Sequence, residues 1–194
     1  MSAELMQAAH AQMEHLDVVE RVERLAVVQE ALTWLPTPYL HQGRVRGAGV
    51  DCGQLLECVF EGAGVIQPTK IEDYPHDWHL HRSEERYLET VERVAHKVDR
   101  APLPGDIILY RFDKAISHGA IVVAWPTLIH AYLKLGVILD DAERNHVLRN
   151  AQQGVWSVWP EPWAATPQTQ LDAIKPGEMV LPVFIAKAFR DGGA

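Results

Sequence analysis

The hydrophobic period of this chain changes once, near residue 102, and that change restricts the folds open to it. Before it, apolar residues recur every three or four positions. Val18, Val22, Leu25, Val28 and Leu32 mark one face of an amphipathic helix over about Asp17 to Trp34. Leu55, Leu56, Val59 and Phe60 mark the buried stripe of another helix, which Asp51 can cap. Ser83 can cap a third, with Glu84 and Glu85 in its first turn, running to about Val98. Beyond "PLPGD" the pattern turns to short apolar runs. "IILYRF", "SHGAIVVAW", "TLIHAYL", "GVILD" and "GVWSVW" read as strands, with a turn around Lys134 and Gly136 and a short helix in "DDAERNHVLRN". "SHGAIVVAW" is almost continuously apolar, which suits a sheet centre. Helices first and strands afterwards predict an α+β domain with a mostly antiparallel sheet.

At 194 residues the chain is long enough for one domain with a substantial core and an appendage. The domain is expected over 1–160. Residues from Pro160 to Lys175 read as a linker rich in proline, threonine and glutamine. "KPGEMVLPVFIAKAF" resembles "LPGDIILYRF", so 161–194 reads as a linker plus an added strand or an independent appendage. The net charge of −8 argues against a general nucleic-acid binder, which needs a basic surface. No apolar stretch approaches the roughly 20 residues of a membrane span. The N-terminus lacks a basic start followed by an apolar block, so no secretory signal and synthesis in the cytoplasm are expected. Cys52 and Cys58 lie six apart on one helix, point to different sides, and are not expected to bridge.

Cys52 opens its helix behind the glycine-rich loop "GRVRGAGVD". Unpaired N–H groups at a helix start stabilise an anion, and a thiol there can fall to a pKa of roughly 3.5–7.5. A nucleophile with room for substrate is one reading; a small buried hydrophobe is the other. A nucleophilic cysteine needs a base and a group to orient it. Of ten histidines, His10, His15 and His96 fall on expected helix surfaces. His118, where "IS" ends a loop, and His130, in "LIHAY", fall on neighbouring strands that can set the two rings side by side. Taken singly, each can also be a satisfied core or edge residue.

Together, "VDCGQLL", "PGDIILYRF", "SHGAIVV" and "LIHAY" resemble the NlpC-like family of papain-like cell-wall cysteine peptidases. "TPYLHQGRVRGAGVDC" and "DYPHDWHLHRSEERYL" resemble its bacteriophage tail-associated branch. The likeness spans about Leu32 to Leu139. It implies a papain-like fold and cleavage of peptidoglycan stem peptides, typically between D-glutamate and diaminopimelate, with no cofactor. It implies Cys52 as nucleophile, His118 as general base and His130 as the residue that orients it. Tyr39 matches a tyrosine that helps bind the oxyanion, and Asp51 and Ser117 match positions that hold the free amine of the stem peptide. Phage tail proteins are the implied partners and a virion tail the implied destination. Two departures bear on substrate choice: Asp51-Cys52-Gly53-Gln54 stands for Asp-Cys-Ser-Gly, and His118-Gly119-Ala120 for His-Val-Gly. A tail structural protein on a retained peptidase fold, and an amidase or acyltransferase using the same residues, are the alternatives.

Other signals are weaker. His76, His79 and His81 have spacings that can chelate zinc, but no further ligand completes a set, and no metal is expected. Trp125, Trp156, Trp159 and Trp163 suit either sugar stacking or core packing. Arg44 and Arg46 either attract stem-peptide carboxylates or are solvated loop charges.

Overall fold

The structure is a computed structural model and describes residues 2–68 and 86–160. Ser83, the histidines at 76, 79 and 81, Trp163 and the whole of 161–194 lie outside the described residues.

Three helices come first: α1 (Ser2–Gln12), α2 (Val18–Leu32) and, after the two short strands β1 (Arg44–Val45) and β2 (Gly49–Val50), α3 (Cys52–Gly62). Then follow α4 (Arg86–Glu92), β3 (His96–Val98), β4 (Ile107–Phe112), β5 (Ala115–Ala124), β6 (Thr127–Tyr132), β7 (Gly136–Asp141), α5 (His146–Ala151) and β8 (Gln152–Ser157). Among the described residues, six strands form one sheet in the order β3-β8-β4-β5-β6-β7, and every pairing in it is antiparallel. The architecture is α+β, as the change of period predicts.

The sheet is buried on both faces, which accounts for the continuous apolar run in β5. Ile121 and Val123 face the helices together with Leu109, Ile129 and Val137. Ala120 and Val122 face the other way, into a second core with Ile108, Tyr110, Leu128 and Leu148 of α5.

Two helix expectations are corrected. In α2 the buried residues are Arg24, Val27, Val28 and Ala31, whereas Val18 and Val22 are 60% and 46% exposed. A buried charge turns this face inward. The Arg24 guanidinium donates to Asp106 Oδ1 at 2.9 Å and to the Pro104 carbonyl at 2.9 Å, and lies 4.1 Å over the Trp159 ring. Hydrophobic spacing carries no record of such a pair. The third helix ends at Glu92 rather than near Val98. The segment from His96 to Val98 is instead an edge strand, paired His96↔Ser157, Lys97↔Trp156 and Val98↔Val155. His96 therefore sits on a strand. Backbone pairing to β8 won over local helical pattern.

The N-terminal helix α1 carries no strong amphipathic pattern, and His10 lies on it, as expected. It docks through Gln12, whose side-chain amide donates to the Trp125 carbonyl at 2.9 Å and accepts from the Trp125 N–H at 3.0 Å.

Candidate active site

Asp51 is the N-cap of α3, as its position before the apolar stripe predicts. Its Oδ1 accepts from the Gln54 N–H at 2.9 Å, satisfying a donor the helix leaves open. Its Oδ2 accepts from the Gln42 N–H at 2.7 Å and lies 3.6 Å from His41 Nδ1. The carboxylate is 2% exposed, so it fastens the preceding loop to the helix start. That loop is tightly packed rather than open: a Cβ on Gly43 would fall 2.6 Å from the Gly49 carbonyl oxygen. Gly43 serves close backbone approach, and Gly47 takes a left-handed turn at φ 75°.

Cys52 is the first residue of α3, half-buried and a free thiol. Its sulfur approaches the Ser117 carbonyl at 3.8 Å, and Ser117 is the residue before His118. The expected fall in thiol pKa is not seen. Burial, followed by the Asp51 carboxylate, pushes the thiol up to about 12. The Tyr87 hydroxyl and the N–H groups of Gly53 and Cys52 pull in the opposite direction. The helix start thus acts as expected, but desolvation outweighs it. Because the residue is only half-buried, solvent tempers the rise.

Tyr87, on α4, is a further residue at this site; it falls in the block "DYPHDWHLHRSEERYL", but nothing in the spacing of that block points it at Cys52. Its hydroxyl hydrogen-bonds the Cys52 side chain and lies 3.4 Å from the Cys52 carbonyl. Gly119 makes room for it, since a Cβ there would meet the Tyr87 hydroxyl at 2.6 Å. One departure from the usual histidine block is thereby explained. The other departure, Gln54, is 3% exposed and is engaged on its side-chain carbonyl by Arg44, which donates to Oε1 at 2.7 Å.

His118 lies inside β5, not at its start, just past a bulge: Tyr110 pairs with His118 and Arg111 with Ile116, so Ser117 is the extra residue. His130 lies on the adjacent strand β6. The rings meet edge to face, centroids 5.0 Å apart, with His118 Nε2 2.8 Å from His130 Nδ1. Tyr110, Phe112 and Tyr132 pack around His118 at 5.8, 5.8 and 6.0 Å. Burial, then the charge His130 would carry, holds His118 well below the usual imidazole range. Burial lowers His130 to about 4, against the attraction of Asp140. Both rings are therefore neutral at neutral pH.

Tyr39 forms an isolated bridge to Val50 beside this helix start. Burial, then Cys52 and Asp51, raise its pKa, so the phenol keeps its proton and remains a donor. Ser117 is half-buried. Arg44 and Arg46 are taken up inside the chain, Arg44 by Glu57 and Glu61 and Arg46 by Glu30. Trp156 and Trp159 are core residues, 2% and 5% exposed. Among the described residues no cluster of three or more metal-ligating side chains occurs.

The NlpC/P60 family model matches residues 36–158, which hold Tyr39, Asp51, Cys52, Tyr87, Ser117, His118 and His130. The chain belongs to the NlpC/P60 family. Members of this family are cysteine peptidases, and the resemblance carried by the cysteine and histidine blocks is to this same family. Solved NlpC/P60 structures share the fold. A family protein from Bacillus cereus is 16% identical, with a TM-score of 0.51, over 71% of this chain and 40% of its own. A Staphylococcus aureus protein described as similar to lipoprotein, NLP/P60 family, is 18% identical, with a TM-score of 0.51, over 75% of this chain and 43% of its own. NlpC2 from Trichomonas vaginalis is 16% identical, with a TM-score of 0.51, over 70% of this chain and 48% of its own. The chain thus spans less than half the length of each of these three. No curated protein matches it.

Proposed function

We propose that this NlpC/P60 chain is a cysteine endopeptidase that hydrolyses peptidoglycan stem peptides between D-glutamate and diaminopimelate. Cys52 is the nucleophile. His118 takes the thiol proton through Nδ1, the nitrogen not engaged by His130. With both partners neutral at rest, proton transfer accompanies attack on the carbonyl rather than preceding it. A thioester forms, His118 protonates the leaving amine, and water releases the acid. The Tyr39 hydroxyl and the Cys52 N–H stabilise the oxyanion. Ser117 contacts the free amine of the stem peptide, while Asp51, buried as a cap, acts on it through its charge.

Two observations support this reading: the imidazole pair, His118 Nε2 2.8 Å from His130 Nδ1, and the Cys52 sulfur 3.8 Å from the carbonyl of Ser117, the residue before His118; among the described residues no hydrogen bond joins the sulfur to the His118 ring. The loop "TPYLHQGRVRGAGVDC" supports assignment to the bacteriophage tail-associated branch, in which the protein would thin the wall locally during DNA entry and would have tail proteins as partners.

Incubation with purified muropeptides, analysed by mass spectrometry, tests the proposal. Cleavage at the D-glutamyl bond that vanishes in Cys52→Ala and His118→Ala is the expected result. No turnover, with binding to tail proteins intact, would instead make this a structural protein on a peptidase scaffold.

A further inference from the structure

The imidazole pair does not end at His130. Its Nε2 is buried and lacks a hydrogen bond, and the nearest carboxylate oxygen, Asp140 Oδ2, is 3.5 Å away. Asp140 lies on β7, two residues along from Ile138, which pairs with His130. It is therefore on the same face of the sheet as His130. Its orientation is fixed from behind. Oδ1 accepts from the Asp141 N–H at 2.7 Å, and Oδ2 accepts from Asn145 Nδ2 at 2.7 Å. Asn145 is itself held as the N-cap of α5, its Oδ1 accepting from Val147 and Leu148. The Tyr110 hydroxyl, also buried and without a hydrogen bond, lies within the field of the same carboxylate.

We propose that Asp140 is a positioning residue of this site, its carboxylate fixing the tautomers of both imidazoles so that His118 keeps Nδ1 free of a proton. A neutral imidazole carries one N–H and one lone pair. Across the 2.8 Å contact, one ring donates and the other accepts, which leaves two arrangements. If His130 carried its proton on Nδ1, its buried Nε2 lone pair would face the oxygen of a carboxylate that is 22% exposed, a repulsive contact only partly screened by solvent. With the proton on Nε2 the contact becomes attractive. His130 Nδ1 then accepts, His118 Nε2 must donate, and His118 Nδ1 is left bare. A bare Nδ1 is what a base for the thiol needs. The inference rests on the proposed role of His118, and it adds a fourth residue that touches neither substrate nor sulfur.

The test uses the full chain labelled with ¹⁵N at histidine. At neutral pH the imidazole shifts are expected to show both His118 and His130 protonated on Nε2. In Asp140→Ala the two rings are expected to populate mixed tautomers, and muropeptide kcat to fall on the order of 10- to 100-fold, as for outer partners that orient a functional histidine. KM should stay within about twofold, because no substrate contact is removed. A wild-type His130 protonated on Nδ1 overturns the proposal, as does an Asp140→Ala protein with unchanged tautomers and unchanged kcat. If Asp140→Ala fails to fold, the wild-type spectrum alone decides. If the wild type cleaves no muropeptide, the functional reading fails while the tautomer pattern still judges Asp140.

Discussion

His118 Nε2 and His130 Nδ1 lie 2.8 Å apart, two buried imidazoles joining β5 to β6. One strand thereby carries the proposed base and its neighbour the proposed brace. His130→Ala should retain the fold and lower muropeptide kcat by roughly 10²- to 10⁴-fold, the range in which positioned acid–base groups contribute. His130→Asn, which keeps a hydrogen-bonding partner for His118, should lose less. Steady-state kinetics on purified muropeptides measure both.

A buried neutral thiol and a buried neutral imidazole set the pH behaviour. Alkylation of Cys52 by iodoacetamide should be slow near pH 6 and rise toward alkaline pH, because burial pushes the thiol up to about 12. A resting ion pair would instead react quickly in mild acid. The acid limb of kcat/KM should fall below pH 6.5, because the His118 base titrates well below that value.

Folding stability should share this dependence. His130 titrates near 6.5 when unfolded and at about 4 when folded, so between those values the unfolded chain binds more protons. The stability is fully present above pH 6.5 and is lost as pH falls toward 4. The loss from this ring is on the order of 3 kcal/mol. Urea unfolding at a series of pH values should show the slope, and His130→Gln should reduce it.

Tyr87 and Gly119 act as a pair. Tyr87→Phe removes a hydroxyl that favours the thiolate, so Cys52 alkylation at a fixed alkaline pH should slow while the fold persists. Gly119→Ala places a methyl 2.6 Å from that hydroxyl and 2.8 Å from Leu56 Cδ1. Overpacking of this kind should destabilise by about 1–3 kcal/mol, read by thermal unfolding. In the double variant, Tyr87→Phe should recover part of that loss.

The buried pair between Arg24 and Asp106 holds α2 to the sheet. Both side chains are essentially inaccessible, and Arg100 donates to the same carboxylate at 2.5 and 3.1 Å. Asp106→Ala leaves the Arg24 charge buried without that partner and should cost about 3–5 kcal/mol. The melting temperature should drop by roughly 10 °C.

Sequence by itself determined the elements whose cause is local. The strands β4 to β7 follow from short apolar runs between turn residues. Asp51 capping α3 and Cys52 opening it follow from side-chain chemistry within four residues. The resemblance in the cysteine and histidine blocks named the family, because those blocks are short and local in sequence. Tertiary structure alone decided what depends on groups distant in sequence. Which face of α2 is buried was set by Asp106, 82 residues away, and the strand at His96 by pairing with β8. Tyr87 reaches the sulfur only because Gly119 leaves space, and Asp140 reaches His130 only through the register of two strands. Desolvation of the thiol and the imidazoles likewise depends on all that packs around them. Hydrophobic periodicity and short motifs record neighbours along the chain, whereas charge burial, register and steric room are properties of neighbours in space.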